Sequence, residues 1–476
     1  MNRTFNALAV FALAGTAAAQ ITVGPVAHPT TGTRYYRLAP ATWANANTLA
    51  ASFGGTLATI HDAATNEWIR ANLAAAGGNT VTCFIGINDV AREGTFRWSN
   101  GEKPVYLNWL AGEPNNAGGG EDFGIMIPSS GLWNDIPDGI SRPAIIEVTG
   151  PIRVPAEYPT IQAAVDAAVD GQTILVARGQ HTGNVNYGTK KLVIRSEGGP
   201  MSTTIRVLPG SVGISMAGGQ GPETVFEGFT VVPSTGSADT LVNALDGQII
   251  RNCRFNNPGA RGVRLRGTSV LSDSLVVGCD PGILVTSSGT RTNATVQNCT
   301  LVGNNQCLAS SDNVPGVSVT VSLINSVTAG NISPFGAGGT SNIFFFSNVV
   351  AEGDVGPNNL NADPRFVNAP GSNGIYELTD DYFLQPTSPC IDAANNARRK
   401  PLSSLSIPTD LRGGPRFVDD AATFDTGAGP GPVADCGAYE YTAPALLCPV
   451  DFNADGFLDF FDYDAFVEAF EFGCAF

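Results

Sequence analysis

Residues 113–122 read EPNNAGGGED, and Trp133, Asn134 and Asp135 follow a short way downstream. Carboxylates and amides crowd there around one proline and a glycine run, too polar for a core strand and too acidic for a spacer. Side chains of this kind suit a hard cation. Calcium (Ca2+) takes about six to eight oxygens at about 2.3–2.6 Å, from carboxylates, amide carbonyls and backbone. Glu113, Asn115, Glu121, Asn134 and Asp135 offer such oxygens from two loops.

A second constellation stands near the C-terminus in DFNADGFLDFFD. Asp451, Asn453, Asp455, Gly456, Asp459 and Asp462 occupy positions 1, 3, 5, 6, 9 and 12 of a calcium loop, and Phe457 at position 7 would add its backbone carbonyl. The aspartate at the last position and a helix expected over 463–471 resemble a dockerin repeat of bacterial proteins. Phe466 and Phe470 repeat at i and i+4 and could form a docking face for an anchoring partner. Dockerins carry two such repeats and this chain shows one. Cys448 and Cys474 bracket the unit and could staple it, since a module this small needs help to stay folded.

The elements that must position these groups belong to a chain of 476 residues, long enough for two or three domains. Its 26 basic and 42 acidic residues give a net charge of −16, which argues against non-specific nucleic-acid binding. His28, His61 and His181 are the only histidines and lie far apart, which excludes a His-rich zinc site. The 56 glycines and 14% charged residues fit a turn-rich β protein. Residues 1–19 read as a secretory signal peptide: Arg3, an apolar run over 5–15, then Ala17, Ala18 and Ala19. No later stretch is long and apolar enough to span a bilayer. The nine cysteines are therefore expected in an oxidising compartment, where pairing is the rule.

All five tryptophans fall within residues 30–148. That region contains, in order, YYRL, TWANANTLAASFGGTLATIHDAATNEWI, FIGINDVAREGTFRWSNGEKPVYLNW, the EPN triplet, the Glu121-Asp122 pair and GLWNDIPDGISRPAIIEV. It resembles the C-type lectin domain family over essentially its whole length. The resemblance implies an α+β domain in which Glu113, Asn115, Glu121, Asn134 and Asp135 hold one calcium. A sugar's vicinal hydroxyls complete the ion's shell and hydrogen-bond the same side chains. It also implies a cis Pro114 and mannose-type ligands (mannose, glucose, N-acetylglucosamine or fucose). Asp89, Glu93, Glu121, Asp122 and Asn116 match the auxiliary calcium site, with Asn116 where an aspartate is usual. Both usual disulfides are missing: Ala50 and Ile146 stand at one pair of positions, Phe123 and Asp138 at the other.

After Thr149 the composition shifts to Gly, Asn, Ser, Thr and Val. Ile161, Ala164, Val165 and Ala168 fall on one helical face, and Thr173 to Ala177 reads as a strand. Short apolar runs then recur. With Gly228, Asn252, Asp273, Asn298, Asn325 and Ser347 taken as equivalent, the steps are 24, 21, 25, 27 and 22 residues. Strands at such a period without intervening helices signify a solenoid, and the early helix would cap its open end. Residues 152–440 resemble the pectate-lyase-like right-handed parallel β-helix. NADPRFV, SPCIDAANN, TDLRGGPR and DCGAYEY resemble the closing segment of secreted bacterial β-helix proteins. Arg251, Arg254, Arg261, Arg264 and Arg266, with Asp246, Asp273 and Asp280 near in sequence, suggest a groove for an anionic polysaccharide, though such charges are more often solvation. Cys253 and Cys299 read as core residues, and Cys390 and Cys436 as a candidate pair.

The expected chain is mostly β. A signal peptide (1–19) precedes an α+β lectin-like domain (30–148), a right-handed parallel β-helix (152–440) and a dockerin-like helical module (448–474). The expected function is calcium-dependent carbohydrate binding by a secreted protein at or outside the cell surface. The alternatives are a polysaccharide lyase or hydrolase with the lectin as targeting module, and an adhesin with the β-helix as stalk.

Overall fold

Thr42 and Asp62 set the first two helices. Each stands in extended backbone and accepts an N–H of the first turn, Thr42 from Asn45 at 3.4 Å and Asp62 from Thr65 at 2.7 Å. Helix α1 (Trp43–Ser52) buries Trp43, Ala46 and Ala50, and α2 (Ala63–Ile69) buries Asn66 and Ile69. The computed structural model describes residues 20–216, 219–287, 289, 291–312, 317–336, 340–346, 349–350, 359–399 and 409–442. The expected leader (1–19), Ser347 and the expected calcium loop at 451–462 with its bracketing Cys448 and Cys474 lie outside the described residues. Among the described residues no helix is long and apolar enough to cross a membrane. The chain divides into two units: residues through Ala177 with Lys190–Arg195, and Arg178–Thr189 with the chain from Ser196 onward.

The first unit is built on eight strands: β1 (Ile21–Ala27), β2 (Arg34–Ala41), β3 (Thr56–Leu57), β4 (Cys83–Asn88), β5 (Arg97–Trp98), β6 (Phe123–Met126), β7 (Trp133–Ile136) and β8 (Arg142–Val148). The sheet runs β1-β2-β8-β4-β6-β7, with β3 on β8 and β5 on β4. Side chains alternate between two buried clusters, as a strand covered on both faces requires. Tyr35, Ile85 and Ile145 enter one cluster, while Tyr36, Phe84 and Ile146 enter the other.

Packing stands where the disulfides are missing. Ala50 and Ile146 are fully buried in one cluster with Leu57 and Phe84. Phe123 lies against Trp43, ring centres 4.9 Å apart, while Asp138 is exposed and accepts the N–H of Gly139. The same unit continues into β9 (Ile152–Val154), α3 (Ile161–Ala167) and β10 (Thr173–Val176), with β9 and β10 parallel. Thr160 caps α3, which buries Ile161, Ala164 and Val165, the face read from the sequence. Buried Arg34 ties β2 to the segment before α3. It pairs with Glu157, which also accepts the Tyr36 hydroxyl at 2.8 Å, and donates to the carbonyls of Gly150 and Pro151 at 3.0 Å.

In the second unit three parallel strand stacks make a β-solenoid. The first contains Val225–Glu227, Ile249–Arg251, Val270–Ser272, Thr292–Gln297 and Ser318–Ile324. The second runs from Gly179–Thr182 through Thr203–Val207, Thr230–Pro233, Arg254–Asn256 and Leu275–Val277. The third runs from Val185–Asn186 through Val212–Met216, Thr240–Ala244, Arg261–Leu265 and Ile283–Thr286. The 13-residue strand Thr300–Asp312 continues the second and third stacks together.

One left-handed residue turns the chain from the first stack into the second. These are Gly228 (φ 84°), Asn252 (50°), Asp273 (49°), Asn298 (50°) and Asn325 (50°), the positions that set the sequence period. Glycine, asparagine and aspartate are the residues that tolerate this conformation. Asn298 also donates to Asp273 at 3.0 Å, so the turns form a side-chain ladder. Cys253 and Cys299 are fully buried free thiols two coils apart. The arginines part company. Arg251 is buried against Glu227 (2.8 Å), Arg254 donates to the Leu378 carbonyl, and Arg261 pairs with Asp239 (2.8 Å). Arg264 and Arg266 bond Thr286 and the Leu245 carbonyl. Arg251 and Arg254 stand in the first and second stacks, while Arg261 and Arg264 share the third, with Arg266 directly after them.

The closing segment surrounds Arg416, whose side chain is fully buried. Its guanidinium lies 3.5 Å from Glu440 and 3.7 Å from Asp273, and donates to the backbone carbonyls of Asp435 (3.1 Å) and Gly437. Asp410 accepts from Arg412 at 3.1 Å and from the Gly414 N–H at 2.9 Å. The candidate Cys390–Cys436 pair is corrected. Both are buried thiols outside any disulfide, although the N–H of Cys436 donates to the Cys390 carbonyl at 2.9 Å. They pack in an apolar cluster with Ile391, Leu411 and Ala438, and burial pushes the Cys390 thiol up to about 12.

The Arg251–Glu227 pair yields a test. Glu227→Ala leaves a buried guanidinium without its carboxylate and should cost about 3–5 kcal/mol. The double replacement Arg251→Met with Glu227→Leu should restore most of the stability. Urea unfolding of both variants checks this; equal losses would show that lost packing, rather than the uncompensated charge, governs the effect.

Candidate calcium and carbohydrate site

The acidic loop hangs from Trp133, the first residue of β7. Its N–H donates to the Asn108 carbonyl, and its carbonyl accepts from Leu110, both at 2.8 Å. Its indole sits among Trp98, Tyr106 and Trp109, with ring centres 5.7–5.9 Å away. The indole N–H donates to Asn66 at 2.8 Å, and Asn66 in turn donates to the Gly131 carbonyl at 3.1 Å. A buried indole needs such a partner. Asn66 is a positioning residue that the sequence reading did not single out. Its signal was a polar side chain on the buried face of α2.

From this anchor the loop folds over Asp135, which is 1% exposed. The Glu113–Pro114 peptide is cis, as the resemblance implied. The two carboxylate oxygens of Asp135 accept the N–H groups of Asn115 (3.3 Å) and Asn116 (3.1 Å). Glu121 accepts the N–H of Ala117 at 2.6 Å. Asn116, left-handed at φ 47°, turns its amide oxygen onto the N–H groups of Gly120 and Glu121. It braces the loop. Antiparallel pairing of β6 with β7 then sets Asn134 opposite Ile125 and Asp135 opposite Gly124.

Two oxygens in this arrangement are buried and accept no hydrogen bond: Oε2 of Glu113 and Oδ1 of Asn134. Loss of hydration, then the nearby Asp135 and Glu121 carboxylates, hold the Glu113 carboxyl above its ordinary range. Converging carboxylates with unpaired buried oxygens are what a hard cation resolves, so the donor set fits calcium. The auxiliary position behaves alike. Asp89 is 2% exposed; one oxygen accepts the Gly94 N–H at 2.8 Å and the other is buried without a partner. Burial, and then Glu93 and Asp122, push its carboxyl up. A separate cavity of about 450 Å³, lined by His28, His61, Asp62, Glu102 and Glu147, contains none of these ligands.

The family model for the Lectin C-type domain matches residues 39–146. The chain is 37% identical over 93 residues to the low affinity immunoglobulin epsilon Fc receptor of Mus musculus, a match covering 20% of this chain and 26% of that receptor. The chain thus spans about a quarter of that relative's length. Among solved structures it is similar to the C-type lectin CEL-I from Cucumaria echinata, with 25% identity, coverage of 25% of this chain and 96% of that one, and a TM-score of 0.24. It is also similar to the cow C-type carbohydrate-recognition domain of CD23 in the presence of GlcNAc2Man3 oligosaccharide, with 29% identity, coverage of 24% and 86%, and a TM-score of 0.22. Residues 39–146 are a C-type lectin domain, carried on a chain that continues as a parallel β-solenoid.

Proposed function

We propose that this chain is a secreted, calcium-dependent lectin for mannose-type sugars, acting at or outside the cell surface. The carrying observation is the pair of buried, unpaired oxygens on Glu113 and Asn134 beside the carboxylates of Asp135 and Glu121. Glu113, Asn115, Glu121, Asn134 and Asp135 would hold the ion. When bound, calcium supplies coordination positions that hydroxyl oxygens can fill. Glu113 and Asn115 would meet the same hydroxyls, the carboxylate accepting and the amide N–H donating, so their order around Pro114 would select the orientation of the hydroxyl pair. Asp135, held by two backbone N–H groups, fixes the loop against β7. Asp89, Glu93, Glu121 and Asp122 would hold an auxiliary ion, with Asn116 bracing the loop between the two sites. The 448–474 segment, through Asp451, Asn453, Asp455, Phe457, Asp459 and Asp462, would take a further calcium and anchor the chain.

A glycan array with and without chelator tests the reading. Mannose-type glycans should be retained in calcium and released by chelator, and retention indifferent to chelator would overturn the calcium bridge. Replacing Glu113 and Asn115 by Gln and Asp should shift preference toward galactose while the domain stays folded.

Acid should weaken binding. The Glu113 carboxyl lies above its usual range, so a proton competes with the cation there earlier than at an ordinary glutamate. Protonation removes a ligand and a negative charge, so calcium affinity falls as pH falls. The calcium needed for half-maximal sugar retention should rise steadily from about pH 7 to about pH 5. A constant requirement across that range would contradict the assignment of Glu113 as a ligand.

A further inference from the structure

A second unexplained acidic convergence lies in the closing segment, where Asp392 meets Asp419 and Asp425. One carboxylate oxygen from each of the three lies within 4.8 Å of the others. Asp392 is fully buried, whereas Asp419 and Asp425 are exposed. One oxygen of Asp392 accepts the Asp420 N–H at 3.3 Å; the other, Oδ1, is buried and has no hydrogen-bond partner. A wholly buried carboxylate oxygen without a donor is costly and calls for either a proton or a cation.

The backbone builds this convergence from segments far apart in sequence. Asp392 adopts a left-handed turn at φ 48°, and its N–H donates to Asp435 at 2.8 Å. Its carbonyl accepts the N–H groups of Thr426 (3.1 Å) and Gly427 (3.0 Å), which draws Asp425 back over it. The intervening Asp420 is occupied elsewhere, accepting the Thr423 hydroxyl at 2.7 Å and closing its own turn. Among the described residues no arginine, lysine or histidine forms an ion pair with Asp392, Asp419 or Asp425. The neighbouring Arg416 and Arg412 are turned to Glu440, Asp273 and Asp410.

We propose that Asp392, Asp419 and Asp425 form a calcium site that fastens the 419–425 loop to the buried turn at Asp392. The geometry suits the ion: oxygens that each lie about 2.4 Å from one cation are at most about 4.8 Å apart. The chemistry suits it too. An all-carboxylate set without cysteine or histidine favours a hard cation, and the two exposed members leave room for the waters that complete a shell of about six to eight. Burial first, and then the charges of Asp425, Asp419 and Asp420, push the Asp392 carboxyl up to about 6 against the single stabilising N–H of Asp420. The site is independent of the sugar-binding loops, sharing no residue with them.

The test counts calcium bound to the full-length chain by equilibrium dialysis with radioactive calcium. Asp425→Asn and the double variant Asp419→Asn/Asp425→Asn should each bind one calcium fewer per chain than the wild type. Asp239→Asn, which alters an exposed carboxylate paired with Arg261, should leave the count unchanged. Calcium should also protect the 419–425 loop of the wild type from protease, and fail to protect it in the variants. Because Asp419 and Asp425 are exposed, both variants should fold, which circular dichroism checks. Protease protection of the wild-type loop is a separate readout that needs no variant. An unchanged calcium count in folded variants, or a wild-type loop cut equally fast with and without calcium, would overturn the site and leave Asp392 as a buried acid that holds no metal.

Discussion

A buried oxygen that has left water must find another partner, and this requirement organises both units of the chain. Where the partner is a protein group, the result is a brace. Glu157 receives Arg34 and Tyr36, Glu227 receives Arg251, and Glu440 receives Arg416 together with two backbone N–H groups. Where no protein group arrives, as at Glu113, Asn134, Asp89 and Asp392, the chain presents oxygens to something else. Each of these lies beside further carboxylates, and on that juxtaposition the proposed cation sites rest.

The lectin domain shows how a binding loop is held without disulfides. Ala50 and Ile146 are core residues, and Phe123 packs its ring against Trp43 at a tilt. The loop itself depends on hydrogen bonds to groups that belong to it or to β7. Asp135 holds the backbone at Asn115 and Asn116, Asn116 holds Gly120 and Glu121, and Asn66 fixes the indole of Trp133 beneath them. Apolar packing sets where the loop begins and ends, and polar contacts set its path between.

The solenoid solves a different problem. Each coil must turn its chain between stacks without disturbing the parallel ladder, and one left-handed residue does so. Asparagine and aspartate serve there because a short polar side chain eases the conformation and can bond the equivalent residue of the next coil. The closing segment adds an ionic core around Arg416. Burial pushes the Asp435 and Glu440 carboxyls up while Arg416 pulls them down. That balance ties the segment to Asp273 on the solenoid.

Much of this was legible in the sequence because it is carried by side-chain type and short spacing. The EPN and WND triplets, the helix at 161–167 with its Thr160 cap, and the equivalence of Gly228, Asn252, Asp273, Asn298 and Asn325 all depend on neighbours a few residues away or on a repeat. The rest was decided by contacts across long separations. Nothing local says that Asn66 meets Trp133, that Arg251 is buried against Glu227 while Arg261 stays at the surface, or that Cys390 and Cys436 remain thiols. Nor does spacing bring Asp392 to Asp419 and Asp425. Composition and spacing determine which groups a chain can offer, but burial and desolvation, which only the packed structure imposes, determine which of those groups are left needing a partner.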